Sequence, residues 1–234
     1  NSNANIAKQI TIKDIEFEGN KYGIILHPTS NSNIGLENFH LENFKFKRTQ
    51  RSLDLKIINY EIFINQGLIE ECSNELFEIR DDNKIHGIIE FTLCENSNNK
   101  NIIFTGIELI KNQYSEYKTN IKRKGGGGIG LIITTEATNN ECLFSIEMQN
   151  CKFISNHAKS NNSGGGFSYS DEDVNNEILL SSLIFQGCQF MNNIANNKGG
   201  SLFIKGGEKL TNIKIIETDF IENIADGEGG SIYI

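Results

Sequence analysis

One spaced set of apolar residues, closed by a polar one, recurs along this chain and limits its fold more than any other feature. Cys188-Gln189-Phe190-Met191-Asn192-Asn193-Ile194-Ala195 is echoed by Thr218-Asp219-Phe220-Ile221-Glu222-Asn223-Ile224-Ala225. Both run on to a glycine pair, Gly199-Gly200 and Gly229-Gly230, followed by Ser-Leu-Phe-Ile or Ser-Ile-Tyr-Ile. Cys151-Lys152-Phe153-Ile154-Ser155-Asn156-His157-Ala158 with Gly164-Gly165-Gly166 is a third copy. Self-similarity at such intervals is the signature of a solenoid, in which each repeat covers the apolar face of the next.

Counting back from each closing residue, apolar or small side chains stand ten, eight, five and three places earlier. The regular sets are Ile102, Phe104, Ile107, Leu109 before Asn112; Ile146, Met148, Cys151, Phe153 before Asn156; Leu183, Phe185, Cys188, Phe190 before Asn193; and Ile213, Ile215, Thr218, Phe220 before Asn223. The template also matches at Asn20, at Asn65 (Leu55, Ile57, Tyr60, Ile62) and, with Thr for Asn, at Thr49. Steps of two place side chains on one face of a strand, and the single step of three bends the strand without turning those side chains outward. A helix needs i, i+3, i+4, i+7 instead.

The anchors Asn20, Asn65, Asn112, Asn156, Asn193 and Asn223 are expected to form a structural turn ladder, Asn taking αL at a corner and bonding to the Asn above and below. The interval from 49 to 65 is too short for a full coil, so one of those matches is partial. The interval from 65 to 112 has room for a degenerate coil around 76–79 or 88–93. The expected architecture is all-β, a right-handed parallel β-helix of roughly eight coils and on the order of 40 Å. It is one segment over 1–234, with irregular coils over 1–101 and regular coils with loop insertions over 102–234. Its C-terminal end is open, and the expectation is that the segment comes from a longer chain in which a further coil follows. Like should stack on like: Phe153 on Phe190 on Phe220.

Composition agrees. Ile, Phe and Asn are frequent, Gly numbers 22, Pro one and Trp none, a mixture of strand and turn formers. The formal charge of -8, with no basic run beyond Lys122-Arg123-Lys124, leaves no footprint for nucleic acid. No apolar run reaches the roughly 18 residues of a membrane-spanning helix.

Phe-x-x-Asn coupled to Gly-Gly-x-φ resembles the repeats of chlamydial polymorphic outer-membrane proteins and of very large protist surface proteins. The motifs are Phe153–Asn156, Phe190–Asn193 and Phe220–Asn223 with Gly165-Gly166, Gly199-Gly200 and Gly229-Gly230, and more loosely Phe17–Asn20 and Leu109–Asn112 with Gly127-Gly128. Residues 24–101 carry no Gly-Gly, so the likeness is to a repeat type. The resemblance implies a β-helical ectodomain displayed at a cell surface, adhesive or serving as a spacer.

Several polar clusters are candidates for chemistry. Asp171-Glu172-Asp173 falls in a polar insertion. Asp219, Glu222, Asp226 and Glu228 face Gln189, Asn192, Asn196 and Lys198 in the preceding coil, which describes a solvated face better than paired catalytic acids. His27, His40, His86 and His157 lack metal-ligand spacing, and Gly125–Gly128 lacks the Lys-Ser/Thr of a phosphate loop. Cys151 and Cys188 share a column on neighbouring coils. They form a disulfide or a thiol stack, and parallel Cβ vectors favour the stack. Asn161-Asn162-Ser163 is a glycosylation acceptor sequence in an expected loop.

The sequence thus predicts a non-enzymatic structural or adhesive module of an extracellular or cell-surface protein, without cofactor. Its partners would be other chains, further coils of its own chain, or surface glycans. The alternatives are a carbohydrate-active β-helix, lyase or hydrolase, and a ligand-recognition ectodomain.

Overall fold

A computed structural model describes residues 9–26, 37–57, 61–73, 88–93, 100–115, 126–130, 132–135, 142–170, 178–206 and 210–234. The strand-forming pattern is realised throughout. Among the described residues every regular element is a strand, and every strand pair is parallel.

Seven strands form the spine of the largest sheet in chain order: Gln9–Glu18, Asn38–Lys47, Glu61–Glu70, Lys100–Ile110, Cys142–Gln149, Ile178–Gln186 and Asn212–Ile216. In the later repeats the strand resumes after its bend as Lys152–Ile154, Gln189–Met191 and Asp219–Ile221. A second sheet holds Tyr22–Leu26, Arg51–Ile57, Ile89–Leu93 and Ile132–Thr135. A third holds Gln113–Tyr114, His157–Ala158, Ile194–Ala195 and Ile224–Ala225, and a fourth holds Ile129–Gly130, Phe167–Ser170, Leu202–Lys205 and Ile232–Tyr233. The early chain alternates between the first and second sheets. After Asn112 it passes from the first to the third and fourth, the change coinciding with the onset of the glycine runs, and Ile132–Thr135 returns once to the second.

The register puts the template positions in columns. Ile10, Phe39, Ile62, Ile102, Ile146, Leu183 and Ile213 are successive partners, as are Ile12, Leu41, Ile64, Phe104, Met148, Phe185 and Ile215. These side chains, with Leu53 and Leu55 of the second sheet and Phe167, Leu202 and Ile204 of the fourth, make one continuous core. Phenylalanines stack along it. The rings of Phe153 and Phe190 lie 4.4 Å apart and nearly parallel, and those of Phe190 and Phe220 lie 5.1 Å apart. Such stacking adds about 0.5–1.5 kcal/mol per pair to the burial itself.

Two expectations need correction. Asn65 is not an anchor. It lies within Glu61–Glu70, paired with Glu42 and Thr105, and the true set for that strand is Ile62, Ile64, Gly67 and Ile69 before Cys72. The apolar template had slid by seven residues, because Ile62 serves as the last position of the false frame and the first of the true one. Gly67 hid the true frame, since its column position is filled from the preceding strand: a Cβ there would lie 2.1 Å from Cζ of Phe44. Second, 88–93 contains no degenerate coil. Ile89–Leu93 pairs with Arg51–Ile57 and Ile132–Thr135 in the second sheet. The other candidate, 76–79, lies outside the described residues. Seven spine strands at about 4.8 Å spacing span about 29 Å.

The step of three in each strand has a common backbone cause. Asp14, Asn43, Gln66, Gly106, Asn150, Gly187 and Glu217, one per strand, have φ between +47° and +62°. One left-handed residue turns the strand and swings its own side chain outward, so that the residue two places before it and the residue after it both point inward.

Candidate functional site

The most ordered polar feature is a buried column at the corner after the first sheet. Asn112, Asn156 and Asn193 are fully buried, and Asn223 continues the line. Asn156 illustrates the bonding. Its Oδ1 accepts from the backbone N–H of Asn112 at 3.0 Å and from Nδ2 of Asn112 at 3.1 Å. Its Nδ2 donates to the carbonyl of Leu109 at 2.9 Å and to Oδ1 of Asn193 at 3.0 Å. Both amide hydrogens and both carbonyl lone pairs are used, which is the full capacity of a carboxamide. The pattern repeats from Asn112 to Ile69 and from Asn193 to Phe153 and Asn223.

The column runs on through residues that the Asn pattern hid. The backbone N–H of Cys72 donates to Oδ1 of Asn112 at 2.9 Å, and that of Thr49 to Sγ of Cys72 at 3.4 Å. The thiol therefore stands where an amide oxygen stands elsewhere, with the hydroxyls of Thr49 and Ser52 beside it. Asn20 occupies the corresponding place after the first strand and is exposed; its carbonyl accepts from Gln50 N–H.

The expectation that the anchors adopt αL is also corrected. The positive φ belongs to the residue before each anchor: Gly19, Arg48, Glu71, Lys111, Ser155, Asn192 and Glu222, with φ from +51° to +68°. The anchor must keep an extended backbone to aim both its N–H and its side chain along the column. The turn is therefore made one residue earlier, at positions whose side chains leave the core and are free to vary.

The third inward column contains Cys151, Cys188 and Thr218, each one residue before the register partners Lys152, Gln189 and Asp219. Cys151 and Cys188 are free, buried thiols in contact with each other, not a disulfide. The single hydrogen of Cys151 Sγ has the carbonyls of Gln149 and Phe104 within reach, and that of Cys188 Sγ has those of Met148 and Gln186. Its hydrogen bond to Cys188, together with burial, pushes the Cys151 thiol up, so it stays protonated and is a poor nucleophile.

Along the outside, carboxylates meet cations of neighbouring strands. Glu16 pairs with Lys45 at 2.9 Å, Glu42 with Lys13 at 2.7 Å, Glu70 with Lys47 at 3.2 Å and Glu108 with Lys152 at 2.7 Å. Arg51 and Asp54 form a buried pair, with Arg51 over the ring of Tyr22. Of the acids singled out from sequence, Asp226 accepts from Asn196 at 2.9 Å, and Asn196 in turn faces Nε2 of His157 at 2.7 Å. Asp226 can only accept, so the amide of Asn196 presents Oδ1 to the imidazole, and Nε2 carries the hydrogen. Glu228 accepts from Lys198 at 2.7 Å, and Lys198 also lies 4.3 Å from the centroid of the Tyr233 ring. Asp219 and Glu222 stand outside that network. His40 packs on Phe63 on the outer face of the first sheet. Asp171-Glu172-Asp173, His27, His86 and Gly125 lie outside the described residues.

Gly126–Gly128 is not a cradle for phosphate. The N–H groups of Gly127 and Gly128 are bonded to the carbonyls of Gly164 and Gly165 at 3.1 and 3.0 Å. The run is a close-approach corner: a Cβ on Gly165 would lie 2.2 Å from the carbonyl oxygen of Gly200, and one on Gly200 would lie 2.2 Å from that of Gly230.

Among the described residues, no group of three or more His, Cys, Asp or Glu side chains is placed to hold a metal ion, and no helix is long and apolar enough to cross a membrane. No family model, curated protein or solved structure matches the chain.

Proposed function

We propose that the four parallel sheets are faces of a right-handed parallel β-helix, and that this rod is a non-enzymatic structural or adhesive module of an extracellular or cell-surface protein. The observation that carries the reading is the seven-strand register with its through-going anchor column. Core and ladder are specified position by position, whereas the outward residues between them vary in type from strand to strand. That division suits a rigid support which holds variable loops toward other protein chains or surface glycans. The likeness to the chlamydial and protist surface repeats supports the same reading. The outward carboxylates support it too, because several are paired with lysines of adjacent strands instead of with one another.

The test uses beads coated with the chain, offered to cultured cells and to a panel of matrix polysaccharides, with reducing ends measured in parallel. The expected result is attachment without new reducing ends. Depolymerisation of any polysaccharide in the panel would overturn the reading in favour of a carbohydrate-active β-helix.

A further inference from the structure

The turn between the third and fourth sheets differs in length from repeat to repeat. From Ala195 to Gly199 and from Ala225 to Gly229 it is equally short, while from Ala158 to Gly164 it is two residues longer. The extra length forms a tip at Ser160 and Asn161, with Ser160 in the left-handed region at φ +59°. Polar groups of this turn on both sides of Asn161 are held. Ser160 Oγ contacts Ser115 Oγ at 3.0 Å. Asn162 is buried, its Nδ2 donating to the carbonyl of Lys159, and Ser163 Oγ accepts from the N–H of Lys198. The carbonyl of Asn161 accepts from Nδ2 of Asn197, but its own carboxamide is exposed and makes no hydrogen bond among the described residues.

Asn161 also opens the one Asn-x-Ser/Thr sequence in an Asn-rich chain, and the residue between is not Pro. From this coincidence of acceptor sequence, turn insertion and an unengaged exposed amide, we infer that Asn161 is an N-glycan attachment site. The inference rests on the extracellular reading above and narrows it to a eukaryotic secretory route. The donor is a lipid-pyrophosphate-linked oligosaccharide. The amide nitrogen of Asn161 bonds to the anomeric carbon, and the carbon–oxygen bond to the pyrophosphate breaks with its electron pair on the leaving lipid pyrophosphate. The amide proton passes to a base of the transferase. Ser163 supplies the hydroxyl that the acceptor sequence requires while the chain is still extended. In the fold that hydroxyl turns inward to Lys198, and the glycan is left on the outside, beside the Asn196 and Asp226 edge.

The full chain is expressed behind a cleavable secretory leader in eukaryotic cells. Occupancy is measured by intact mass on all leader-cleaved material, secreted or retained. One glycan is expected, mapped to Asn161 by its conversion to Asp on enzymatic deglycosylation. It should be lost in Asn161→Gln and in Ser163→Ala, with the Asn161→Gln chain unfolding at an unchanged temperature. Leader-cleaved chain without the added mass, or a glycan that persists in Asn161→Gln, would overturn the assignment. The bead assay on bacterially made, unglycosylated chain reads the surface function separately, so failure of one does not imply failure of the other.

Discussion

Replacing Asn156 with Ala removes one link of the buried column and should be among the most damaging single changes in the molecule. The truncation leaves the backbone N–H of Asn112, one Nδ2 hydrogen of Asn112 and the carbonyl of Leu109 without partners, all in the buried corner. Each orphaned group costs about 1–3 kcal/mol, and the vacated volume adds to that. For three such groups the expected loss is about 3–9 kcal/mol, a large part of the roughly 5–15 kcal/mol that holds a typical domain folded. Asn156→Asp separates hydrogen bonding from volume. It keeps an oxygen for Asn112, but turns a second oxygen toward the carbonyl of Leu109 and Oδ1 of Asn193, which only accept. It should cost at least as much as Ala. Urea unfolding followed by far-UV circular dichroism gives the change, with hydrogen exchange locating the opened corner. A loss below about 1 kcal/mol for either variant, at an unchanged urea slope, would refute the claim that the column is a main support of the stack.

Other consequences follow from individual positions. Cys72→Asn should stabilise by about 1 kcal/mol, read by the same urea titration, because the carboxamide could accept from Thr49 N–H and donate to the carbonyl of Phe46, the group that Sγ now reaches at 3.7 Å. Gly200→Ala should lower the unfolding temperature sharply, since its Cβ would meet the carbonyl oxygen of Gly230 and the backbone of Ile224. Gly230→Ala, with nothing within 4 Å, should leave the temperature nearly unchanged. Cys72, Cys151 and Cys188 should resist iodoacetamide in the folded chain and react in denaturant, as site-resolved mass spectrometry would show. The hydrogen bond it donates to Glu16 raises Lys45 above its ordinary 10.5. Its small contribution is therefore full below that value and fades as pH rises through the folded pKa. The unfolding temperatures of wild type and Lys45→Met should converge only in strong alkali.

Much of this was legible in the sequence because the constraint is repetitive. An inward column tolerates Phe, Ile, Leu or Met, so spacing survives where identity does not, and the four regular sets from Ile102 onward coincide with the register. Legibility failed where two unusual residues met in one repeat. Gly67 yields its volume to Phe44, and Cys72 replaces an amide by a thiol, so the frame ending at Asn65 looked better than the true one. The left-handed positions before the anchors left little signal, only Gly19 and Asn192 among the seven being residue types that favour αL. Arg48, Glu71, Lys111 and Ser155 share only an outward side chain, and a strained backbone can be held there by the packing around it. The links from His157 through Asn196 to Asp226, and from Lys198 to Glu228, arise because residues about one repeat apart in sequence become neighbours. Each pair can be found once the register is fixed, and not before.

The stacking itself is tested most directly by distances along one outward column. Glu16, Lys45, Leu68, Glu108, Lys152, Gln189 and Asp219 are successive partners on the outer face of the first sheet. Spin labels attached through a non-natural ketone residue at positions 16, 152 and 219 allow pulsed electron resonance to measure the spans. Four and six steps of about 4.8 Å predict separations of about 19 Å and about 29 Å, each as one narrow peak. A 16-to-219 separation longer by a further step of about 4.8 Å, which an additional coil between Cys72 and Asn112 would produce, or distances that do not grow in proportion to strand number, would contradict the stack described here.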